Sequence, residues 1–352
     1  MKAYKYRNGI SAYDNNGNSL FYRDVDTLFN NRIYAPTISE LNDPNESNVD
    51  DKIILDFMQS KGNEVYQDWL VLKKQLSNLG IYSLNNTHQN ELLWSYYATG
   101  HKGFAIEYNL DYFITSFTYS TLERMCYFLD INYSNYVPRI KNVTQFIRFF
   151  SKPDTNKIVK FYLGNKSKRW KHEEESRLIL EKNGFIEYDY RAVTGIYFGF
   201  RMDNTEIDYI MNKMKGREIN YYQMKLSGDY NLEAHSIEDA YYDSVKYTIK
   251  SISYDPYLIS KECLKDDYVY KKKVKEAIEI VCSKPLVEKI ISVKIFNETS
   301  LTICVLTKSF GIYPLKEFLF VLNEKERLYL IEDVERGKRK LQEKIKKMSI
   351  ED

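Results

Sequence analysis

The string Trp170-Lys171-His172-Glu173-Glu174-Glu175-Ser176-Arg177 sets three consecutive acids between a tryptophan and an arginine. Side chains alternate along a strand, so if the strand that follows begins early, Glu173, Glu175 and Arg177 share one face. Carboxylates stacked that way repel one another and are settled by the neighbouring cation or by a polyhydroxyl ligand. On a helix, Glu173 and Arg177 would instead be an i,i+4 surface pair of little worth. The alternation Ser176–Glu181, the turn signal Asn183-Gly184 and a return run Phe185–Tyr190 favour a strand leading into a hairpin.

Three further strings carry polar groups. Tyr4-Lys5-Tyr6-Arg7 puts Lys5 and Arg7 on one face of a first strand, as any surface strand would. Asn42-Asp43-Pro44-Asn45-Glu46 is strong turn chemistry, which explains it without a ligand, although its amides and carboxylates could also line a pocket. In Glu91–Gly103, Trp94 and Tyr97 share a helix face, usually a core face, and His101 could cap the helix through its C-terminal dipole.

The elements that must position these residues follow from periodicity. A strand is predicted over residues 3–7, another over Val25–Tyr34, and one helix over 50–79 with Val65, Trp69, Leu72, Leu76 and Leu79 as its buried stripe. Strands follow at Gly80–Leu84, Phe104–Tyr108 and Ile131–Tyr133, with a helix through Trp94 between the first two and another over 142–163. Ile196–Phe200, a helix opened by an Asp203/Glu206 capping box and stopped at Gly216, and Ile219–Leu226 make a parallel strand–helix–strand unit. Beyond about residue 235 come a helix near 266–282, β-rich runs at Ile290–Phe296 and Leu301–Thr307, and a charged helix over 324–348. The expected architecture is α+β: a mixed central sheet with flanking helices over 1–235, and a smaller C-terminal α/β region over 236–352.

Composition narrows the function. A net charge of +2 leaves any nucleic acid or membrane to a local patch. No apolar h-region opens the chain and no run of 18 apolar residues occurs, so neither a secretory signal nor a membrane span is expected, and the cytoplasm is the expected location. The four cysteines form no C-x-x-C pair and are expected as reduced thiols. The four histidines lack metal-ligand spacing, so no metal is expected. The 32 tyrosines reflect a composition also rich in Asn, Ile and Lys.

Taken in order, Lys5–Arg7, Asn42–Glu46, Trp94–Gly103 and Trp170–Arg177 resemble the marks of a bacterial family of unknown function, KYR, NDP-x-E, W-x-x-Y-A with H-K-G, and W-x-x-E-x-E-x-R, over roughly residues 4–232. More remotely, the layout is similar to ADP-ribosyltransferase folds, where a first-strand Arg or His, a central aromatic and a late-strand Glu surround NAD. The chain departs from them in having no Ser-Thr-Ser string after the first strand, and in carrying its central aromatic on a predicted helix. The likeness implies an ADP-ribosyltransferase-like core and an enzyme that cleaves the nicotinamide–ribose bond of NAD, by analogy a toxin-type or defence effector. Glu175 would stabilise the ribosyl cation, Glu173 would orient or deprotonate the acceptor, and Tyr97 would stack on a ring. Arg7 would pair with the pyrophosphate, with Tyr6, Asn42, Asp43, Glu46, Trp94, His101 and Arg177 also holding the cofactor. The acceptor would be a nucleic acid or a protein. One rival is a nucleic-acid binder or nuclease, drawn from the basic run Arg336, Lys338, Arg339, Lys340, Lys344, Lys346 and Lys347. Another is a non-catalytic sensor or interaction subunit whose Glu173, Glu175 and Arg177 only fix the fold.

Overall fold

A computed structural model describes residues 1–46, 48–61, 63–117, 127–142, 144, 155–229, 231–249, 251–259, 270–296, 302–309, 315–322 and 327–331. These cluster into two compact units, one drawn from 1–110, 126–186 and 193–246, the other from 111–125, 187–192 and 247–352. No helix among the described residues is long and apolar enough to cross a membrane.

The first unit holds β1 (Lys2–Arg7), β2 (Arg32–Ala35), β3 (Gly80–Asn85), β4 (Phe104–Asn109), β5 (Tyr127–Asp130), β6 (Asn132–Ser134), β7 (Asn165–Ser167), β8 (Glu175–Leu180), β9 (Gly184–Glu187), β10 (Val193–Phe198), β11 (Asn220–Leu226) and β12 (Leu232–Ile237). Its helices are α1 (Leu20–Phe29), α2 (Lys52–Lys61), α3 (Asn63–Ser77), α4 (Glu91–Tyr97), α5 (Thr155–Leu163) and α6 (Asn204–Met214). Eight strands form one sheet in the order β12-β11-β10-β4-β1-β3-β8-β5. Only β10 and β11 run parallel, joined through α6 as the sequence pattern requires; the other pairs are antiparallel, so the protein is α+β with a large mixed sheet. On one side, α3 and α5 bury Trp69, Leu76, Ile158, Val159 and Tyr162 with Ile81 of β3 and Ile179 of β8. Another cluster joins Leu93 and Trp94 of α4 to Tyr4 and Tyr6 of β1 and Tyr197 of β10.

Several local expectations fail for identifiable reasons. The strand expected from Val25 is largely α1, because Phe21, Val25 and Leu28 form a buried i, i+4, i+7 stripe that begins before it; only Arg32–Ala35 is strand. The helix expected over 50–79 is found as α2 and α3 on either side of residue 62, which lies outside the described residues. The Asn183-Gly184 turn forms, with Gly184 at φ 86, yet β9 does not return along β8. Both flanks of β8 are occupied, by β3 and β5, and β9 pairs with β2. Asp203 stands at the N-cap of α6 without a side-chain capping bond, while Glu206 is buried. Residues 145–154, most of the first half of the helix expected over 142–163, lie outside the described residues.

The second unit carries β13 (Val287–Phe296), β14 (Thr302–Ser309), β15 (Leu315–Leu322) and β16 (Leu328–Leu330) as an antiparallel sheet in chain order. On it packs α7 (Lys271–Cys282), through Val274, Ala277, Ile278 and Val281. Cys282 and Cys304 are free buried thiols, and burial pushes the Cys304 thiol up to about 11. Within the helix expected over 324–348, Leu328–Leu330 is strand, and the basic run from Arg336 onward lies outside the described residues.

Candidate active site

The site opens where the central sheet splits. Strand β1 pairs with β4 along its whole length, from Lys2–Asn109 to Arg7–Phe104, but with β3 only at Tyr4–Asn85. Beyond that pair the strands part, and the Lys5 ammonium reaches across to donate to the Ser83 carbonyl at 2.7 Å. Antiparallel partners share a face, so Tyr4, Asn85 and Glu175 point one way, while Lys5 and Arg7 leave β1 on the other. In an unbroken sheet Arg7 and Glu175 would be separated by the backbone. The split lets both line one cavity of about 290 Å³, with Tyr6, Asn42, Glu46, Ser83, Asn85, Tyr97, Lys166, Glu173 and Arg177.

One wall is ionic. The Arg177 side chain is fully buried; its Nε and Nη2 meet Glu175 at 2.7 and 3.3 Å, Nη2 also meets Glu46 at 2.6 Å, and Nη1 donates to the Leu163 carbonyl. Lys166 Nζ lies 2.5 Å from Glu173, 2.9 Å from Glu175 and 3.5 Å from Glu46. Burial works to raise the Glu175 pKa, but Arg177 and Lys166 carry it down to about 2. Burial likewise opposes the charge of Lys166, and Glu175 and Glu173 overcome it, leaving its pKa above the ordinary lysine value. One carboxylate oxygen, Glu46 Oε2, is buried and has no hydrogen-bond partner among the described residues.

Glu173 reaches this cluster from a 3-10 helix, Lys168–Glu173, and not from the strand, which begins only at Glu175. Glu174 between them adopts the left-handed conformation, φ 46 and ψ 47, at a cost of about 1–2 kcal/mol for a residue with a Cβ. That turn lets Glu173 and Glu175 converge on Lys166 while Glu174 faces solvent. The Tyr97 hydroxyl, at the end of α4, donates to Glu173 at 2.5 Å, and the Tyr133 hydroxyl accepts the Glu175 backbone N–H at 2.8 Å. Burial and the adjacent Glu173 carboxylate both raise the Tyr97 pKa, so its proton stays in place.

The opposite wall is cationic. Arg7 donates to the Tyr82 hydroxyl at 3.1 Å and lies 3.8 Å from Asp24; its Nε has no partner among the described residues. Burial opposes its charge, yet Tyr82 and Asp24 hold its pKa above the ordinary value. Lys5 is different: burial and the neighbouring Arg7 bring its pKa from 10.5 down to about 7.

A second cleft of about 640 Å³ adjoins, sharing Asn42, Tyr96 and Tyr97 with the first and lined further by Asp43, Pro44, Asn45, Ser167, Arg169, Trp170 and His172. The 42–46 loop therefore borders both, Glu46 on the inner cleft and Asp43 on the outer.

Most of the residues singled out in the sequence meet here. Arg7, Tyr6, Asn42, Glu46, Tyr97, Glu173, Glu175 and Arg177 line the inner cleft, and Asp43 the outer one. Two do not. Trp94 is fully buried beneath Tyr6, donates Nε1–H to the His88 carbonyl and has no free face for a ring. His101, at φ 69, packs between Trp94 and Phe200. Sequence reasoning missed Lys166, Ser83 and Asn85. Alternation in Gly80–Asn85 could have placed Ser83 and Asn85 together, but a three-residue strand gives Lys166 no pattern.

No curated protein and no solved structure matches the chain. Residues 93–178, from α4 to β8, match the model of a family described as a protein of unknown function (DUF2971). That stretch carries Tyr97, Lys166, Glu173, Glu175 and Arg177, so the ionic wall of the inner cleft, Glu46 apart, falls within the matched region.

Proposed function

We propose that the inner cleft cleaves the nicotinamide–ribose bond of NAD, as a glycohydrolase or an ADP-ribosyltransferase. The observation that carries this reading is the split between β1 and β3, which gathers Arg7, Tyr97, Glu173 and Glu175 from separate chain segments around one cavity. Its volume is close to the lower end of ligand pockets, about 300–1,000 Å³.

In the proposed step the C–N bond breaks with its electron pair leaving on the nicotinamide nitrogen, which neutralises the pyridinium. The ribosyl carbon is left oxocarbenium-like and is captured by the oxygen of water or a nucleophile of an acceptor. Glu175, held ionised by its cations, supplies fixed negative charge beside the developing cation. Arg7 offers a fork suited to two phosphate oxygens. Glu173, positioned by Tyr97 and Lys166, orients the nucleophile, and the released proton passes to Glu173 or to the Lys5 amine.

The test is nicotinamide release from NAD by the full chain, followed by chromatography, with Glu175→Gln alongside. Release that falls by about 10²-fold or more in the variant is expected. No NAD binding by calorimetry, together with no release in the presence or absence of protein or nucleic acid, sinks the reading.

One observation favours a second reading. Every nitrogen of Arg177 is occupied by the protein itself, which is what a purely fold-fixing network requires.

A further inference from the structure

The 3-10 helix beside the outer cleft interleaves cations with aromatic rings. Lys168, Arg169 and Lys171 are exposed and have no carboxylate partner among the described residues; Glu174 is the exposed acid nearby. Trp170, His172 and Tyr96 line the cleft, the His172 ring centroid 6.1 Å from that of Trp170 and 6.0 Å from that of Tyr96, which is 61% exposed. The cleft is thus an aromatic slot with a positive rim.

Its polar wall asks for donors. Asp43 is 4% exposed; its Oδ1 accepts the Asn45 backbone N–H at 3.0 Å, and Oδ2 is buried without a partner among the described residues. His172 Nδ1 is 3.1 Å from the Arg169 carbonyl, which can only accept, so in the neutral ring Nδ1 carries the proton and Nε2 is left as an acceptor. That Nε2 is likewise buried and unpartnered among the described residues. A flat ring with N–H groups on its edge and phosphate alongside satisfies all of these features. Adenine, cytosine and guanine present such an edge, but within a duplex the Watson–Crick edge is paired and both ring faces are stacked.

We propose that the outer cleft is a stacking site for a base of single-stranded nucleic acid, with Trp170 and Tyr96 against the ring, Asp43 and His172 on its donor edge, and Lys168, Arg169 and Lys171 along the phosphates. This assignment does not depend on NAD chemistry in the inner cleft, although an acceptor strand bound there would lie beside it.

The test is fluorescence anisotropy of the full chain with short labelled strands: single-stranded DNA, single-stranded RNA, a duplex and an abasic sugar–phosphate strand. Both single strands, or one of them, should bind at least about 10-fold more tightly than duplex or abasic strand. Trp170→Ala should weaken that binding by about 10- to 100-fold, with Trp170→Phe restoring most of it. Arg169→Gln should reduce the slope of log affinity against log salt by about one. The DNA and RNA arms identify which strand the cleft prefers. Absence of single-strand binding overturns the proposal, and so does binding that treats duplex and abasic strand alike and ignores Trp170→Ala. A Trp170→Ala variant that raises the KM for NAD while leaving strand binding intact also overturns it, because the cleft then belongs to the dinucleotide. Nicotinamide release from NAD alone reads the inner cleft separately, so either assignment can fail while the other stands.

Discussion

Two buried glutamates on the same sheet solve the same problem in opposite ways. Glu107, on β4, is satisfied by hydroxyls and one lysine: Tyr197 at 2.9 Å, Tyr4 at 3.2 Å, Thr194 at 2.8 Å and Lys2 at 3.0 Å. Both its oxygens are engaged, it lines neither cleft, and its pKa is lowered despite burial. Glu175, on β8, is held by Arg177 and Lys166 in a cluster that also contains Glu46 and Glu173, and Glu46 retains an unpartnered oxygen beside a cavity. A carboxylate buried for the fold can be closed off with hydroxyl donors and a single cation. Concentrating carboxylates and cations around an open cleft costs desolvation, and folding alone does not require it.

The largest expected effect sharpens that contrast. Arg177→Met leaves Glu46 and Glu175 buried with Lys166 as their remaining close cation. Breaking a buried ionic network from one side typically costs about 3–5 kcal/mol. A melting temperature within a degree or two of the parent protein would show that the network does not hold this unit together, which removes the fold-fixing reading.

Exchanging each glutamate for its amide separates the two regions next. Glu107→Gln forfeits charge-assisted bonds from Tyr197, Tyr4 and Lys2, a loss of about 1–3 kcal/mol, and should leave nicotinamide release unchanged. Glu175→Gln removes one of several neighbouring carboxylates, so relieved repulsion offsets part of the lost pairing. The net field still favours the charge, so the exchange should cost at least as much stability as Glu107→Gln while lowering turnover by about 10²-fold or more. Acid separates them as well. The Glu175 pKa in the folded state lies below its ordinary 4.5, so its contribution is full above that value and is lost as pH falls towards about 2. Glu175→Gln should flatten the acid limb of an unfolding profile in that window; a limb of unchanged steepness would count against the ionic assignment.

The same contrast explains what was legible in the sequence. Strand β3 and the β10–α6–β11 crossover followed from period and punctuation, because their buried faces are local patterns. Arg7, Tyr97, Glu173 and Glu175 stood out only as a set and through the resemblance, since a surface strand alone would explain Arg7 and a core face Tyr97; the structure brings them to one cleft. Their geometry was not legible, because it depends on β1 and β3 parting after one pair, a tertiary fact without a local signal. The β8–β9 hairpin was misread for a related reason: Asn183-Gly184 specifies a turn, but which strand β9 joins depends on β8 already being flanked by β3 and β5. Trp94 shares its helix with Tyr97, yet the Tyr6 ring and the His88 carbonyl draw it into the core. The charges of Lys166 were invisible because its anchor is the short strand β7, paired in parallel with β6.

The remaining expected effect lies on the cationic wall and has a sign that ordinary surface lysines do not show. Lys5 faces Arg7, which lowers its pKa, and Glu175, Asp24 and Glu173, which raise it; burial and Arg7 prevail, bringing it from 10.5 to about 7. Its folded-state value is therefore below its unfolded one, so the unfolded chain binds more protons between those limits and stability rises with pH across them. Below about 7 the folded protein carries the full penalty of a buried ammonium; above 10.5 it carries none. Lys5→Met removes the titration and forfeits the bond to the Ser83 carbonyl, about 1 kcal/mol at any pH. Relative to the parent, the variant should look best near pH 6 and progressively worse towards pH 9–10, as read from urea unfolding at each pH. Unfolding midpoints that run parallel across that range would mean that Lys5 keeps an ordinary pKa, and would leave Glu173 as the proton acceptor in the proposed step.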